Sequence, residues 1–357
     1  MTQRTITAFW IVTVVANSAG ISSVSASEPQ SHYVLVQNAL DKSVLPGFEA
    51  LKTSAAKLPD AVARVCSEGN APAIDDLNKA FRDTVRSWAG VEYLRFGPLA
   101  EGGRRERMSF WPDPRGIMSR QLRQLIASGD KTSIEGGAIA KQSAAVQGLP
   151  ALEVLLTDKD VPLGQGEASG FHCKLAGAIA ANVSAVAQDM ADEWSKSGGW
   201  KDKMLRPGSD NATYKEPQEA ASELVKALLI GFQLVGDNEV KPQIDAKVAF
   251  AGPFAKSGLA KDYFQAGVAS LEGLYSATAI ESYLTDDKAW VKNWAVGAWR
   301  TLKESDGAGG NRDGASKDDA PPVRKVFDMI GGLRKLVVGE MSAAAGLTLG
   351  FNELDGD

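Results

Sequence analysis

Histidine is nearly absent from this chain, which has only His32 and His172 among its 357 residues. A zinc site of the H-E-x-x-H type needs two histidines on one helix face, so that class of metallopeptidase is excluded. The sequence also lacks the G-x-S-x-G, P-loop and G-x-G-x-x-G strings of serine hydrolases, nucleoside triphosphatases and dinucleotide-binding proteins. The common sequence signatures of catalysis are therefore missing.

Positive charge is not in excess, since 39 Lys and Arg stand against 44 Asp and Glu, for a net charge of −5. Residues 1–26 contain Arg4 and no acidic residue, so removing them would leave a net charge of −6. Nucleic-acid binding proteins usually present a basic face. The composition therefore predicts no nucleic-acid partner.

Long apolar runs are lacking as well. The apolar stretch between Ala8 and Val15 is too short to span a bilayer. Arg4 before it and Val24-Ser25-Ala26 after it are typical of a signal peptide cleaved before Ser27, with an N-terminal helix of the fold as the alternative. We therefore expect residues 1–26 to be a signal peptide and the protein to be periplasmic or secreted, with no membrane span after cleavage.

Cysteine is equally scarce, because Cys66 and Cys173 are the only two in the chain. An even number of cysteines in an exported protein favours a disulfide, and two free buried thiols are the alternative. We predict a Cys66–Cys173 disulfide.

Strict alternation of apolar and polar residues, the pattern of half-buried strands, is also missing. Apolar residues instead recur at helical spacing in 75–96, 172–195, 218–235 and 261–275. Two further stripes consist of Trp290, Trp294 and Trp299, and of Val323, Phe327, Ile330 and Val337. The pattern predicts an all-α protein packed as helical bundles.

Two polar stretches interrupt the helical pattern, at 196–217 and at 303–322. The first predicts a boundary between an N-terminal bundle, 27–200, and a C-terminal bundle, 201–357. The second is rich in Gly, Asp and Ser, which is typical of a mobile loop within the C-terminal bundle.

The segment "RFGPLAEGGRRERMSFWPDPRG", 95–116, is the richest in functional side chains. Its arginines are Arg95, Arg104, Arg105, Arg107 and Arg115, and they are accompanied by Trp111 and Asp113. Arginines on a glycine-rich backbone can hold an anion or a carboxylate. The alternative is an interhelical loop whose arginines and acids pair with one another.

Glu153 lies inside the apolar string "QGLPALEVLL", 147–156. A buried carboxylate needs a partner, a proton or a cation. A similar context surrounds Glu272 in "GVASLEGLY", 267–275, and "GPLAEGG" at 97–103 resembles "GPFAKSG" at 252–258. The two similarities have different offsets, which argues against a simple repeat. Glu153 could share a ligand with Glu272, pair with Arg95 or Arg115, or face solvent.

Several strings together resemble the imelysin-like proteins of the bacterial periplasm, some of which are named iron-regulated proteins or insulin-cleaving proteases. They are "EYLRFGPLAEGGRRERMSFWPDPRG", "QSAAVQGLPALEVLL", "HCKLAGAIAANVSAVA", "SLEGLY" and "LGFNELDGD", in chain order. The resemblance implies two related helical-bundle domains with a site between them. It also implies that Glu153 lies near that interdomain cleft.

The hallmark of that family is a G-x-H-x-x-E string whose His and Glu are proposed metal ligands. Here Gly148 and Glu153 match it, but Pro150 stands where the His would be. Proline has no donor atom for a metal, so half of the expected pair is missing. The departure argues against peptidase activity and leaves only a weak site for iron or another divalent metal.

The resemblance therefore implies a non-catalytic periplasmic binding protein linked to iron or haem acquisition. The alternatives are a metallopeptidase of the imelysin type and an interaction protein that docks another envelope protein through the arginine-rich loop 95–115.

Overall fold

The structure is a computed structural model that describes residues 30–160, 162–164, 169–245, 252–305 and 323–350. The predicted signal peptide, 1–26, and residues 306–322 of the predicted loop lie outside the described residues. The described residues form helices and turns without any β-strand. The all-α prediction is therefore confirmed.

The helices follow one another with short connections. Those of the first half are α1 (His32–Ala39), α2 (Leu45–Ala55), α3 (Leu58–Glu68), α4 (Ala71–Ala89), α5 (Arg104–Met108), α6 (Ile117–Ser128), α7 (Leu149–Leu156) and α8 (Ser169–Ser195). Those of the second half are α9 (Trp200–Leu205), α10 (Pro217–Gln233), α11 (Lys241–Asp245), α12 (Ala260–Thr278), α13 (Ala289–Glu304), α14 (Val323–Leu336) and α15 (Ser342–Ala344).

Tighter and wider helical turns connect several of these helices. The π-helical segments among the described residues are Leu40–Val44, Leu234–Val240 and Val337–Met341. The 3₁₀ turns there are Gly97–Ala100, Lys131–Ser133, Glu135–Lys141, Ala144–Val146, Ile280–Tyr283 and Asp286–Lys288.

Local sequence explains where the main helices begin and end. The Asn70 side chain accepts a hydrogen bond from the Ala73 backbone N–H at 2.9 Å, which caps the start of α4. Gly69 ends α3 in the left-handed conformation, with φ of 60°, that glycine adopts most easily. Glu216 and Glu219 form a capping box at the start of α10.

The predicted apolar stripes form most of the core. The stripe residues of α4, α8, α10 and α12 are buried, including Trp88, Trp194 and Phe264. The tryptophan stripe is wrong at its first member, because Trp290 is 53% exposed. The buried face of α13 begins at Val291 instead, one residue and about 100° further around the helix.

Two groups of helices pack around this core. In the first group, α8 lies against α2 and α3, and α4 contacts the same two helices. The predicted disulfide between Cys66 and Cys173 is present, and it joins α3 to α8 with the two Cα atoms 5.8 Å apart. In the second group, α12 contacts α10 and α13, and α14 contacts α13 and α10.

Contacts between α4 and α12 join the two groups. Arg86 of α4 pairs with Asp262 of α12 at 2.8 Å, and the Tyr93 hydroxyl lies 3.0 Å from the Ser270 hydroxyl. Helix α1 packs against α10 and α12, far along the chain from its own position. The division into bundles at residue 200 stays a prediction.

None of the helices in the described ranges is both long and apolar enough to cross a bilayer.

Candidate functional site

Helix α7 carries Glu153 into the interior. The neighbouring residues Leu149, Ala151, Leu152 and Leu155 are at most 1% exposed, so this short helix is packed on nearly all sides. Glu153 is itself only 6% exposed. The solvated alternative for Glu153 is thereby excluded, and its carboxylate must be stabilised by protein groups or by a ligand.

Ser257 supplies that stabilisation from the other half of the chain. Its backbone N–H donates to Glu153 Oε1 at 2.9 Å, and its hydroxyl lies 2.7 Å from the same oxygen. Within the described residues no hydrogen bond reaches the second oxygen, Oε2. Glu153 is thus anchored through one oxygen and retains the other for a further partner.

A pocket of about 260 Å³ lies over Glu153. Segment 110–119, helix α7 and segment 252–256 form its walls. Aromatic and apolar side chains dominate the lining, with Phe110, Trp111 and Phe254 among them. A mainly apolar cavity with a few polar groups is the usual form of a small-molecule site.

The charged groups of the pocket differ in how far they are already engaged. Asp113 accepts hydrogen bonds from the backbone N–H groups of Ile117 and Met118, both at 2.8 Å. Both of its oxygens are therefore used to cap α6. Lys256 is exposed, lines the same pocket and can supply a positive charge there.

A buried polar network holds the start of α7 in place. Arg107 donates to the Gln147 side chain at 3.0 Å and to the Asn182 side chain at 3.3 Å. Asn182 in turn donates to the Gln147 backbone carbonyl at 3.1 Å. These bonds tie α5 and α8 to the residue that precedes the Gly148 motif.

Gly148 is required by a close backbone contact. A Cβ atom at this position would lie 2.3 Å from the Met108 carbonyl oxygen and 2.6 Å from that of Arg107. Pro150 occupies the first turn of α7, where its missing N–H has no helical partner to lose. The motif therefore brings α5, α7 and the pocket into contact.

Glu272 does not join this site, contrary to its expected role as a second ligand residue. It pairs with Lys303 at 2.9 Å, across the contact between α12 and α13. It also lies 12 residues along α12 from Ala260, which is about 18 Å of helix. The similarity of the two Leu-Glu strings reflects helix composition and not a shared position.

The arginines of 95–116 are divided among several places. Arg104 donates to the Pro98 carbonyl at 2.9 Å, Arg105 pairs with Glu106, and Arg107 joins the network around Gln147. Arg115 is exposed and is not among the pocket residues. These contacts match the alternative of a structured interhelical loop.

Arg95 lies near the carboxyl of Glu92, whose pKa burial raises to about 7 although the Arg95 charge favours the ionised form. It is therefore not an ion-pair partner that the structure brings to Glu153.

Neither histidine reaches the pocket. His32 Nε2 lies 2.8 Å from the Ala345 carbonyl oxygen, and His172 Nε2 lies 3.8 Å from Asp158 Oδ2. Among the described residues, His, Cys, Asp and Glu form no group of three or more that could share a metal ion.

The sequence interpretation missed Ser257, Lys256 and Phe254. All three belong to the string "GPFAKSG", whose only sequence signal is a weak likeness to residues 97–103. Phe254 has a φ of 57°, unusual for a residue other than glycine, and its ring packs on Phe81 and Tyr263. Such a backbone conformation persists where packing enforces it and is frequent at binding sites.

Solved structures of similar fold are known. One solved structure is an imelysin-like protein from Psychrobacter arcticum 273-4, with a TM-score of 0.70 and 16% identity, covering 90% of this chain and 97% of that one. Another is described as an iron-regulated protein A precursor from Parabacteroides distasonis ATCC 8503, with a TM-score of 0.69, 14% identity and the same coverage. No curated protein matches the chain.

These two likenesses concern the fold, since the identities are low. The sequence itself also matches a family model, described as Imelysin, over residues 44–306. That match spans most of the chain and includes α7, the pocket and segment 252–259. The chain belongs to the imelysin family.

Proposed function

We propose that this protein is an exported, non-catalytic binding protein that takes an iron complex into the Glu153 pocket as part of iron or haem acquisition. The observation that carries the proposal is the buried Glu153 carboxylate. Ser257 anchors it through Oε1, and the aromatic pocket of about 260 Å³ lies above it. An anchored carboxylate in a mostly apolar cavity suits an apolar iron complex whose ferric ion has an open coordination position, because the free Oε2 oxygen can bind that ion.

The ligand is a complex and not a bare ion, because the pocket offers few donors. Hard cations take about six oxygen ligands, and structural zinc takes four protein ligands. Glu153 supplies one oxygen, Asp113 uses both of its oxygens on α6, and Pro150 has no donor atom. Iron bound here must bring most of its coordination with it, as an organic chelate or haem does.

The parts of the proposal that concern iron and export rest on two further observations. One neighbour of similar fold is described as an iron-regulated protein A precursor. Residues 1–26 have the pattern of a signal peptide. A periplasmic location would bring the pocket to iron complexes that have entered the cell envelope.

Isothermal titration calorimetry with haemin and with the ferric complex of 2,3-dihydroxybenzoate tests the proposal. We expect one of the two to bind with 1:1 stoichiometry. Glu153→Gln keeps an acceptor for Ser257 but removes the charge, so affinity should fall at least tenfold. That corresponds to about 1.5–3 kcal/mol for a hydrogen bond to a charged group.

Glu272→Gln is the matched control, since it also removes a helical glutamate but lies outside the pocket. It should bind as the wild type does. Failure of both complexes to bind, or equal binding by Glu153→Gln and the wild type, would overturn the proposal.

A further inference from the structure

A second, much smaller cavity lies where the end of α4, the π-helical segment Leu234–Val240 and helix α12 meet. Its volume of about 10 Å³ accommodates a single water molecule or a single metal ion. Apolar residues form most of the wall. Its ionisable lining residues include Glu92, Glu239 and Tyr263, which bring carboxyl and phenol oxygens to one small space.

Glu239 is the residue that needs an explanation. It is only 4% exposed, and its Oε2 atom has no hydrogen-bond partner within the described residues. Glu239 faces inward one helical turn after the buried Val235, in the π-helical segment, while Asp237, two residues earlier, stays exposed. Such segments are frequent at functional sites. A buried, unpartnered carboxyl oxygen facing a cavity indicates a missing ligand or water.

Glu92 and Tyr263 complete the lining. The Tyr263 hydroxyl donates a hydrogen bond to Glu92 Oε1. Part of Glu92 reaches the surface, but its carboxyl is enclosed by packed atoms. Oxygen atoms from three separate chain segments therefore converge on the cavity.

The surroundings of Glu92 and Glu239 raise the pKa values of both carboxyls. Burial raises the pKa of Glu92 to about 7, although the charges of Arg95 and Arg105 favour its ionised form. Burial and the neighbouring charge of Glu92 both raise the pKa of Glu239 well above its usual value. Burial therefore favours the uncharged forms of both carboxyls, and a cation bound between them would favour their ionised forms instead.

We propose that this cavity is a divalent cation site, distinct from the Glu153 pocket, with the carboxylates of Glu92 and Glu239 and the phenol oxygen of Tyr263 as its ligands. An all-oxygen set favours hard cations such as Mn²⁺ over zinc or copper. The two carboxylates can supply up to four oxygens, and the phenol oxygen a fifth, once the hydrogen bond between Tyr263 and Glu92 gives way to the cation. The space has no room for several waters. The site links the turn that follows α4 to α12, across the two helix groups.

Mn²⁺ titration of the full chain at pH 8, followed by electron paramagnetic resonance of unbound Mn²⁺, tests the proposal. The wild type should bind one Mn²⁺ per chain. Glu239→Gln should bind at least tenfold more weakly. Glutamine has the shape of the protonated acid, so this variant should fold, and circular dichroism checks that it does.

Tyr263→Phe is the second variant, and it should also weaken Mn²⁺ binding. Glu153→Gln is the control and should leave it unchanged, so this test can fail or succeed independently of the proposed iron-complex site. No Mn²⁺ binding by the wild type up to 1 mM would identify the cavity as a water site and overturn the proposal. Full binding by Glu239→Gln, or loss of binding in Glu153→Gln, would overturn it as well.

Discussion

Replacement of Gly148 by alanine tests how closely the start of α7 packs against α5. The added Cβ would lie 2.3 Å from the Met108 carbonyl oxygen and 2.6 Å from the Arg107 carbonyl oxygen. Carbon–oxygen contacts of this kind are rarely shorter than 3.0 Å, so α5 and α7 must separate by at least about 0.7 Å. Both obstacles are backbone atoms, which cannot rotate away as a side chain can.

The expected cost lies at the upper end of overpacking effects, about 3 kcal/mol in the free energy of unfolding. Urea denaturation followed by circular dichroism measures it. Gly273→Ala is the matched control. Gly273 is exposed in the middle of α12, and a Cβ there has no neighbour within 4 Å. This variant should gain about 0.4–1 kcal/mol, because alanine is the better helix former.

The essential result is that the two alanine variants change the free energy of unfolding in opposite directions. If Gly148→Ala is as stable as the wild type, α5 does not lie against the start of α7 and the close approach is refuted. The separation of α5 and α7 should also disturb the Glu153 pocket. Gly148→Ala should therefore weaken ligand binding even at temperatures where the variant remains folded.

In chelator-treated protein, the raised pKa of Glu92 should make its contribution to the free energy of unfolding largest below pH about 4.5. That contribution should be lost as the pH rises to about 7. The difference in unfolding free energy between the wild type and Glu92→Gln should change by about 3 kcal/mol over that range, whereas parallel curves would contradict the assignment. Removal of the disulfide by Cys66→Ser with Cys173→Ser should lower stability by about 2–5 kcal/mol, and an unchanged melting curve would argue against it. We also expect no chelator-sensitive cleavage of peptide substrates, and such cleavage by the pure protein would show that an unrecognised metal centre exists.

Features set by nearby residues could be predicted from the sequence. The stripe of α8 and the cap at Asn70 depend on spacings of a few residues, and both are present. The disulfide was predictable because Cys66 has one possible partner within the chain, Cys173. Burial of Glu153 was indicated by its apolar neighbours on both sides.

Contacts between distant residues could not be predicted in this way. Ser257 reaches Glu153 across 104 residues, and a serine in a Gly-rich string gives no sign of its target. Glu239 resembles a surface residue beside Asp237 and Asn238, and it lies beyond the predicted stripe of 218–235, although the helix continues through Leu234–Val240. Glu272 was misassigned for the opposite reason, since a local likeness suggested a tertiary position that packing does not give it.

The position of α1 constrains the order in which the chain can fold. Its docking surface consists of α10 and α12, and Gln30 just before it donates a hydrogen bond to the carbonyl of Thr278 at the end of α12. During synthesis α1 must therefore wait until about 240 further residues have been made. Such long-range closure is slow. A chain whose first helix finds its site so late stays incompletely folded during synthesis, which is compatible with the export that the pattern of residues 1–26 predicts.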